Sequence, residues 1–509
     1  MNTLLNGLKN NTNTHFTENG ALTHKTTKSD LLDMFSLGGS YRNRSDDDVI
    51  TLFKNAYHEN SIYARKCLFY LRDCRGGQGE RRFFRVAYRW LIDNHTDAAL
   101  TNLEQLAEYG RWDDLIYITY KTALWHEAVE IIKAQLSLDM MSMMHSDNTG
   151  ISLLAKWMPS ENTSSKQTCE VANALRSALR LSHKDYRKTL SKLRERINVL
   201  ERLMSSGEWD KIEFDKIPSR AGLIYRNAFA RRDIIKEKYE AFAKDTNTKV
   251  NAQVLYPVDV AHQCFSGNYW NRSNKNATER AMLQKYWENL PDYYDGREEN
   301  GIAVVDVSGS MWGQPLEAAV SLGAYVAERG KGPFANHFIT FSDRPALVRF
   351  DGVDIYDKFL RAAEADWGGS TNVEAVLDLI LTTAIQNKVI ASDMPKRLYI
   401  FSDMEFNACV TTNQNRHRGY YYGYNDNLLG QLDTLFEATA KKWAQYGYTL
   451  PQVVFWNLDA RSQNIPAIGP GFSYVSGFSP VMIDTILSGK DGYDLMLEKL
   501  DSERYAPIK

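Results

Sequence analysis

The sequence predicts two joined parts, an α-helical array followed by a doubly wound α/β domain. Three observations predict this. From about residue 30 to 245, apolar residues recur at helical spacing in short segments with few β-branched runs. From residue 301 onward, short apolar runs alternate with helix-like patterns. At 509 residues the chain is also too long for one core, so two or three domains are expected.

Residues 1–28 are rich in Asn and Thr and read as a flexible arm, or an extended segment lying on the body. Ser45 can cap a helix whose first turn carries Asp46, Asp47 and Asp48, favourable against the helix dipole. Further helices are expected at about 60–72, 80–93, 98–108, 112–122, 125–137, 150–157, 166–181, 184–205 and 219–241. So many short helices suit a solenoid-like array over 29–245 better than a four-helix bundle. Residues 246–300 turn to Asn, Tyr, Pro and Trp and read as a linker and docking region, with a helix near 278–290. In 301–509, strands are expected at 301–306, 337–342, 346–350, 397–402, 452–457 and 472–475. Helices fall at 315–328, 354–363, 373–388, 429–446 and 480–500. The second and third strands flank Ser342-Asp343-Arg344-Pro345 and read as an antiparallel hairpin at one edge of a mostly parallel sheet.

The chain balances 61 basic against 63 acidic residues, so net charge predicts no partner. The distribution is more informative. Between Ile62 and Trp90 lie Arg65, Lys66, Arg72, Arg75, Arg81, Arg82, Arg85 and Arg89, opposed only by Asp73 and Glu80. A second segment runs through Arg176, Arg180, Lys184, Arg187, Lys188, Lys192, Arg194, Arg196 and Arg202, and a third holds Arg220, Arg226, Arg231 and Arg232. Any one segment is as well explained by solvated helix faces with internal ion pairs. Three together favour a polyanion, with Arg75, Arg81, Arg82, Arg85, Arg187, Lys188, Lys192, Arg194, Arg231 and Arg232 as candidate phosphate contacts. The stretch Arg72–Arg81 lacks the P-loop pattern; its glycines read as a helix stop before a new helix start.

The five cysteines are odd in number and widely spaced, which argues against a disulfide framework or structural zinc and for a reducing, cytoplasmic setting. The first residues contain no apolar signal-peptide core, and no run is long and apolar enough to span a membrane.

The richest chemistry lies after the strand at 301–306, where Asp306, Ser308 and Ser310 enter a loop at every second position. A second oxygen cluster is Asp366-Trp367-Gly368-Gly369-Ser370-Thr371-Asn372, and a third is Ser402-Asp403. Carboxylate and hydroxyl oxygens suit Mg²⁺ or Mn²⁺ rather than zinc or copper. A lone Asp-x-Ser-x-Ser usually binds nothing, but here three clusters occur in order. The constellation resembles the metal-ion-dependent adhesion site (MIDAS) of von Willebrand A domains, at Asp306, Ser308, Ser310, Thr371 and Asp403. The resemblance implies direct ligation by Ser308, Ser310 and Thr371, with Asp306 and Asp403 holding the metal through waters. It also implies an open position for an acidic group from a partner.

With a helical half, the chain resembles the TROVE proteins, the family of the Ro autoantigen. It is more closely similar to the domain of unknown function 2828 family, through RDCRGGQGER (72–81), EYGRWDDL (108–115), LAKWMPSE (154–161), PSRAGLIYRNAF (218–229), VDVSGSMWG (305–313), DWGGSTN (366–372) and MPKRLYIFSDMEF (394–406), among other blocks. These span most of the chain from about 30 to 485. The resemblance implies a HEAT-like, TROVE-like helical region and a von Willebrand A domain. By analogy to the more distant family it implies binding of small or misfolded RNA.

The expected function is a noncatalytic RNA-binding scaffold, ribonucleoprotein-like, with a divalent-metal site. The alternative is a metal-dependent protein–protein module without an RNA role, its partner donating an acidic residue. An enzyme is the weakest reading: a haloacid-dehalogenase-like phosphatase needs aspartate where Ser308 stands, and no Gly-x-Ser-x-Gly or His-Glu-x-x-His occurs. Neither DNA nor a membrane is an expected partner. The insertion Thr411–Leu428 combines Arg416, His417 and Arg418 with Tyr420, Tyr421, Tyr422 and Tyr424. Most polar, Gly- and Asn-rich insertions are plain surface loops. The functional alternative is a gate beside the metal, where bases stack on tyrosine for roughly 1–3 kcal/mol each.

Overall fold

A computed structural model describes residues 13–143, 150–265, 275–341, 344–363, 372–407 and 434–509. The chain divides into two compact units, and neither is continuous in sequence. One comprises residues 1–67 and 255–502, the other residues 68–254 and 503–509.

The α/β unit is built on strands β3 (Gly301–Asp306), β4 (His337–Phe341), β5 (Ala346–Arg349), β6 (Arg397–Ser402), β7 (Gln452–Asn457) and β8 (Phe472–Ser476). Their order is β5-β4-β3-β6-β7-β8, with β4–β5 antiparallel and the other pairs parallel. The expected edge hairpin is therefore present. Strands of near-continuous apolar sequence suit a sheet covered on both faces, and Ile302 through Val305 and Leu398 through Phe401 are buried. Helix Gln314–Arg329 lies so close to β3 that a Cβ on Gly323 would meet Val305 Cγ2 at 2.4 Å, so only glycine fits.

The domain boundaries drawn from sequence need correction. The first strands, β1 (Thr14–Phe16) and β2 (Leu22–His24), form an antiparallel hairpin, and His24 bridges to Ile465. Thr17 Oγ1 donates to the Phe406 carbonyl at 2.6 Å and Asn19 Nδ2 to the Glu405 carbonyl at 2.5 Å. The described part of the arm is thus an extended segment on the α/β unit. Helix Asp30–Leu37, not anticipated from sequence, packs on β8, where Gly39 N–H donates to Ser476 Oγ at 2.9 Å. Residues 255–300 likewise belong to this unit rather than to a linker. Helix Pro257–Phe265 buries Val260, Ala261, Cys264 and Phe265 and packs on helix Gln314–Arg329.

The second unit is helical. Several expected long helices are broken, each at a residue whose backbone leaves the helical region. Asn198, at φ 51°, separates His183–Arg196 from Leu200–Ser205. Arg232, extended at φ −90° and ψ 110°, separates Ser219–Arg231 from Asp233–Lys244. Expectation and structure agree closely at Ser61–Arg72 and Arg81–Asn94, whereas the helix expected at 150–157 shortens to Leu154–Trp157 and the one expected at 125–137 runs on to Ser142. In the α/β unit Ser45 caps Asp46–Glu59 in a capping box with Asp48.

The glycine-rich stretch 72–81 organises the helical unit around a buried carboxylate. Asp73 is fully buried and accepts from Arg504 Nε at 2.9 Å, Arg504 Nη2 at 3.0 Å and Tyr505 OH at 3.2 Å. Its backbone carbonyl accepts from the Gly77 and Gly79 amides, both at 3.1 Å. A Cβ at Gly77 would sit 2.0 Å from the Tyr70 carbonyl oxygen, which explains that glycine. Residues 503–509 are thereby stitched into the helical unit. Among the described residues no helix is long and apolar enough to cross a membrane.

Candidate metal centre and basic helix

Parallel sheets bind ligands at the carboxyl ends of strands where the winding direction reverses. Here β4 and β6 flank β3 on opposite sides, so the switch point lies between the carboxyl ends of β3 and β6. Register places Val305 opposite Phe401. Asp306 and Ser402 follow, and Ser402 Oγ donates to Asp306 Oδ2 at 2.5 Å. The other oxygen, Oδ1, accepts the Ser308 amide at 2.9 Å, folding the loop back on the strand end. Ser308 and Ser310 hydroxyls face each other at 3.0 Å. Asp403 Oδ1 accepts the Glu405 amide at 3.1 Å. Met404, between them, is held at φ 65°, a left-handed conformation that non-glycine residues adopt only when their surroundings impose it.

Those surroundings are visible. Glu405 is buried and accepts the Glu18 amide at 2.9 Å and the Ser462 hydroxyl. Asn464 Nδ2 reaches the Met404 carbonyl at 3.4 Å. The loop after β7 adds Arg461, whose Nη2 donates to the Ser310 carbonyl. Its Nε stands 3.9 Å from Asp403 Oδ2 and 3.8 Å from Asp459 Oδ2.

Asp306 and Asp403 are 0% and 1% exposed. Burial raises both carboxyl pKa values, and the Asp403 charge adds to the rise at Asp306. Asp403 Oδ2 is buried with no hydrogen-bond partner among the described residues. A buried carboxylate oxygen without a donor is costly unless a cation takes its place. The structure thus brings together Asp306, Ser308, Ser310 and Asp403 of the sequence-predicted set, all oxygen donors of the kind hard cations prefer. Thr371 and the insertion residues Arg416, His417, Arg418, Tyr420, Tyr421, Tyr422 and Tyr424 lie outside the described residues. Ser402 was expected only as a member of the third oxygen cluster and not as a ligand, and Arg461 was not expected at all. Ser402 adjoins the predicted Asp403, whereas Arg461 follows a strand that carries no ligand motif.

The predicted basic residues separate into two groups. In the first, Arg75, Arg85, Arg194 and Arg232 have guanidinium contacts within the fold, and Arg81, Arg82 and Arg231 lie beside them in sequence. Arg85 Nε lies 2.6 Å from Asp114 Oδ1 and its Nη2 2.9 Å from Asp113 Oδ2, beside Arg72, whose Nη2 meets Asp114 Oδ2 at 2.6 Å. Burial lowers the Arg81 pKa, and the charges of Arg85 and Arg111 lower it further. Arg82 is half-buried. Arg75 is exposed and donates to the Glu108 carbonyl. Arg194 donates to the Ala155 carbonyl at 2.8 Å, the Met158 carbonyl at 2.8 Å and Ser160 Oγ at 3.0 Å. Arg232 lies over the Trp209 ring, 4.9 Å from its centroid; Arg231 beside it is exposed.

The second group occupies helix His183–Arg196. Tyr186, Leu190 and Leu193 face inward, while Lys184, Arg187, Lys188 and Lys192 are exposed. Lys184, Lys188 and Lys192 recur every fourth residue and so share one helix face. None of the four has a carboxylate partner among the described residues; Arg187 Nε only reaches the His183 carbonyl at 3.2 Å.

Fold and site together define the class: a helical unit joined to a von Willebrand A-type α/β domain with an oxygen-lined switch point. Residues 17–131 and 119–293 match the family described as Domain of unknown function (DUF2828), and the chain belongs to that family. Residues 300–505 match a second description, Domain of unknown function (DUF7788). An uncharacterized protein of Acanthamoeba polyphaga mimivirus is 32% identical over 518 residues, covering 94% of this chain and 85% of its own. The crystal structure of the Deinococcus radiodurans Ro (RSR) protein aligns over 94% of this chain and 100% of its own, at 11% identity and a TM-score of 0.34.

Proposed function

We propose that the protein is a noncatalytic RNA-binding scaffold that also carries a divalent-metal ligand site. The observation that carries the RNA reading is the face of helix His183–Arg196, with Lys184, Arg187, Lys188 and Lys192 exposed and without carboxylate partners among the described residues. Side chains that pair within the fold have done their electrostatic work there; a row of unpaired ones is the footprint of a phosphate backbone. The TROVE resemblance of the sequence supports the same reading and gives the RNA class, small or misfolded. Lys192 and Arg196 also line a depression of about 600 Å³ with Met143, Glu195 and Asn198, an open rather than enclosed surface.

The test is binding of a labelled small structured RNA at several salt concentrations. Affinity should fall linearly on a log–log scale as counterions are released. No binding at low salt overturns the RNA reading.

In the α/β unit, Ser308 and Ser310 would hold Mg²⁺ or Mn²⁺ directly and Asp306 and Asp403 through water. Bound there, the ion supplies an electrophilic position for an acidic group of a partner. Support comes from the buried, donor-less Asp403 Oδ2 beside the paired serine hydroxyls. The same observation favours the second reading, a metal-dependent protein-interaction module without an RNA role. Capture of a protein partner that needs Mn²⁺ and resists high salt, with no RNA shift, would select it.

A further inference from the structure

The geometry points to Arg461 as a resident counter-cation of the Asp306–Asp403 pair, one that a divalent ion displaces on binding; this rests on the metal reading of the site. Two neighbouring buried carboxylates repel each other unless a positive charge lies with them. Arg461 supplies one. Its Nη2 bonds the Ser310 carbonyl, in the middle of the serine loop, and its Nε stands 3.9 Å from Asp403 Oδ2. At that separation the charge is felt, but no hydrogen bond forms, and Asp403 Oδ2 has no donor among the described residues.

The main chain around Arg461 is fixed. Its carbonyl accepts from Arg44 Nη1, the Ala460 amide donates to the Ser40 carbonyl at 3.2 Å, and Ser462 Oγ bonds Glu405. Displacement must therefore be a rotation of the side chain, which is 39% exposed and has solvent to turn into. An arginine that lends its charge to Asp403 from 3.9 Å, while standing 3.8 Å from Asp459, and docks onto neither is removable at small cost. A divalent ion replaces it by bringing twice the charge and oxygen coordination.

The experiment is a Mn²⁺ titration by calorimetry on the full chain, with thermal melting in the presence and absence of Mn²⁺. Wild type, Arg461→Ala, Arg461→Lys and Asp306→Ala are compared. Arg461→Ala should bind Mn²⁺ about tenfold more tightly, since a competing charge is gone. Its metal-free melting temperature should fall and its Mn²⁺-induced rise should grow. Arg461→Lys should lie between, keeping the charge but not the reach to both Ser310 and Asp403. Were Arg461 only a structural cap, the metal-free melting temperature would drop while Mn²⁺ affinity stayed put or weakened. That result overturns the inference and leaves the metal reading standing. Absence of Mn²⁺ binding in wild type and Arg461→Ala alike overturns both. Binding seen only in Arg461→Ala, and abolished by adding Asp306→Ala, supports the inference in its strongest form.

Discussion

Asp114 in the helical unit and Asp403 in the α/β unit are both buried aspartates, yet their surroundings are opposites. Asp114 takes Arg72 Nε at 2.9 Å, Arg72 Nη2 at 2.6 Å, Arg85 Nε at 2.6 Å and the Arg111 amide at 3.1 Å. Asp403 takes the Glu405 amide and is held by the Ser310 side chain, and its Oδ2 has no hydrogen-bond partner within bonding geometry among the described residues. Its closest guanidinium nitrogen stands 3.9 Å away. A buried acid saturated by arginine is part of the scaffold. A buried acid left under-satisfied, next to a second acid and two hydroxyls, is the arrangement on which the proposed metal site rests. The basic residues divide in the same way. Those that meet Asp73, Asp113 and Asp114 hold the fold, whereas Lys184, Arg187, Lys188 and Lys192 on helix His183–Arg196 are exposed.

The largest expected effect lies on the scaffold side. Removing either partner of the Arg72–Asp114 contact, 3% and 0% exposed, strands a buried charge. Arg72→Ala or Asp114→Ala should destabilise the protein by about 3–5 kcal/mol, read from the urea unfolding midpoint. A loss below ~1 kcal/mol would mean that the two aspartates are not different after all.

Asp306→Ala should behave in the opposite way. Without metal its melting temperature should match or exceed that of wild type, because repulsion with Asp403 is relieved. The Mn²⁺-induced stabilisation should vanish, about 2.7 kcal/mol when free Mn²⁺ is a hundredfold above Kd. Unchanged Mn²⁺ binding in this variant would remove the metal assignment.

The smallest effects test the basic groups. Each of Lys184→Gln, Lys188→Gln and Lys192→Gln should lower the log–log salt slope of RNA binding by about one and leave the melting temperature alone. Arg85→Gln, whose guanidinium is already engaged by Asp113 and Asp114, should do the reverse: lower stability with little change in slope. Equal slopes in all four variants would erase the distinction between paired and unpaired cations.

Much of this was legible in sequence because it is local. The strand–loop–helix pattern around Asp306, the edge hairpin and the Ser45 cap each depend on residues within a few positions of one another. What was not legible is long-range. Nothing near Arg461 marks it as a neighbour of Ser310, 151 positions earlier in the chain. Segment 13–24 looked like an arm because its partners, Glu405, Phe406 and Asn464, lie hundreds of residues away. The arginine-rich pattern was read correctly as a concentration of charge. Only the fold shows that Arg85 and Arg194 have internal partners and that Lys184, Lys188 and Lys192 have none among the described residues. Helix lengths were overestimated where a single residue, Asn198 or Arg232, leaves the helical region without a glycine or proline to announce it.

The contact between Asp73 and Arg504 spans 431 positions of the chain. A ribosome therefore delivers the helical unit's central acid early and its neutralising arginine only after the whole α/β unit has been made. Until residues 503–509 emerge, the loop at 72–81 holds a carboxylate with no guanidinium to receive it. The helical unit should accordingly reach full stability only once residues 503–509 have been made. Fragments halted before Arg504 should be recognisably incomplete to proteases, even though every one of their helices has already been translated.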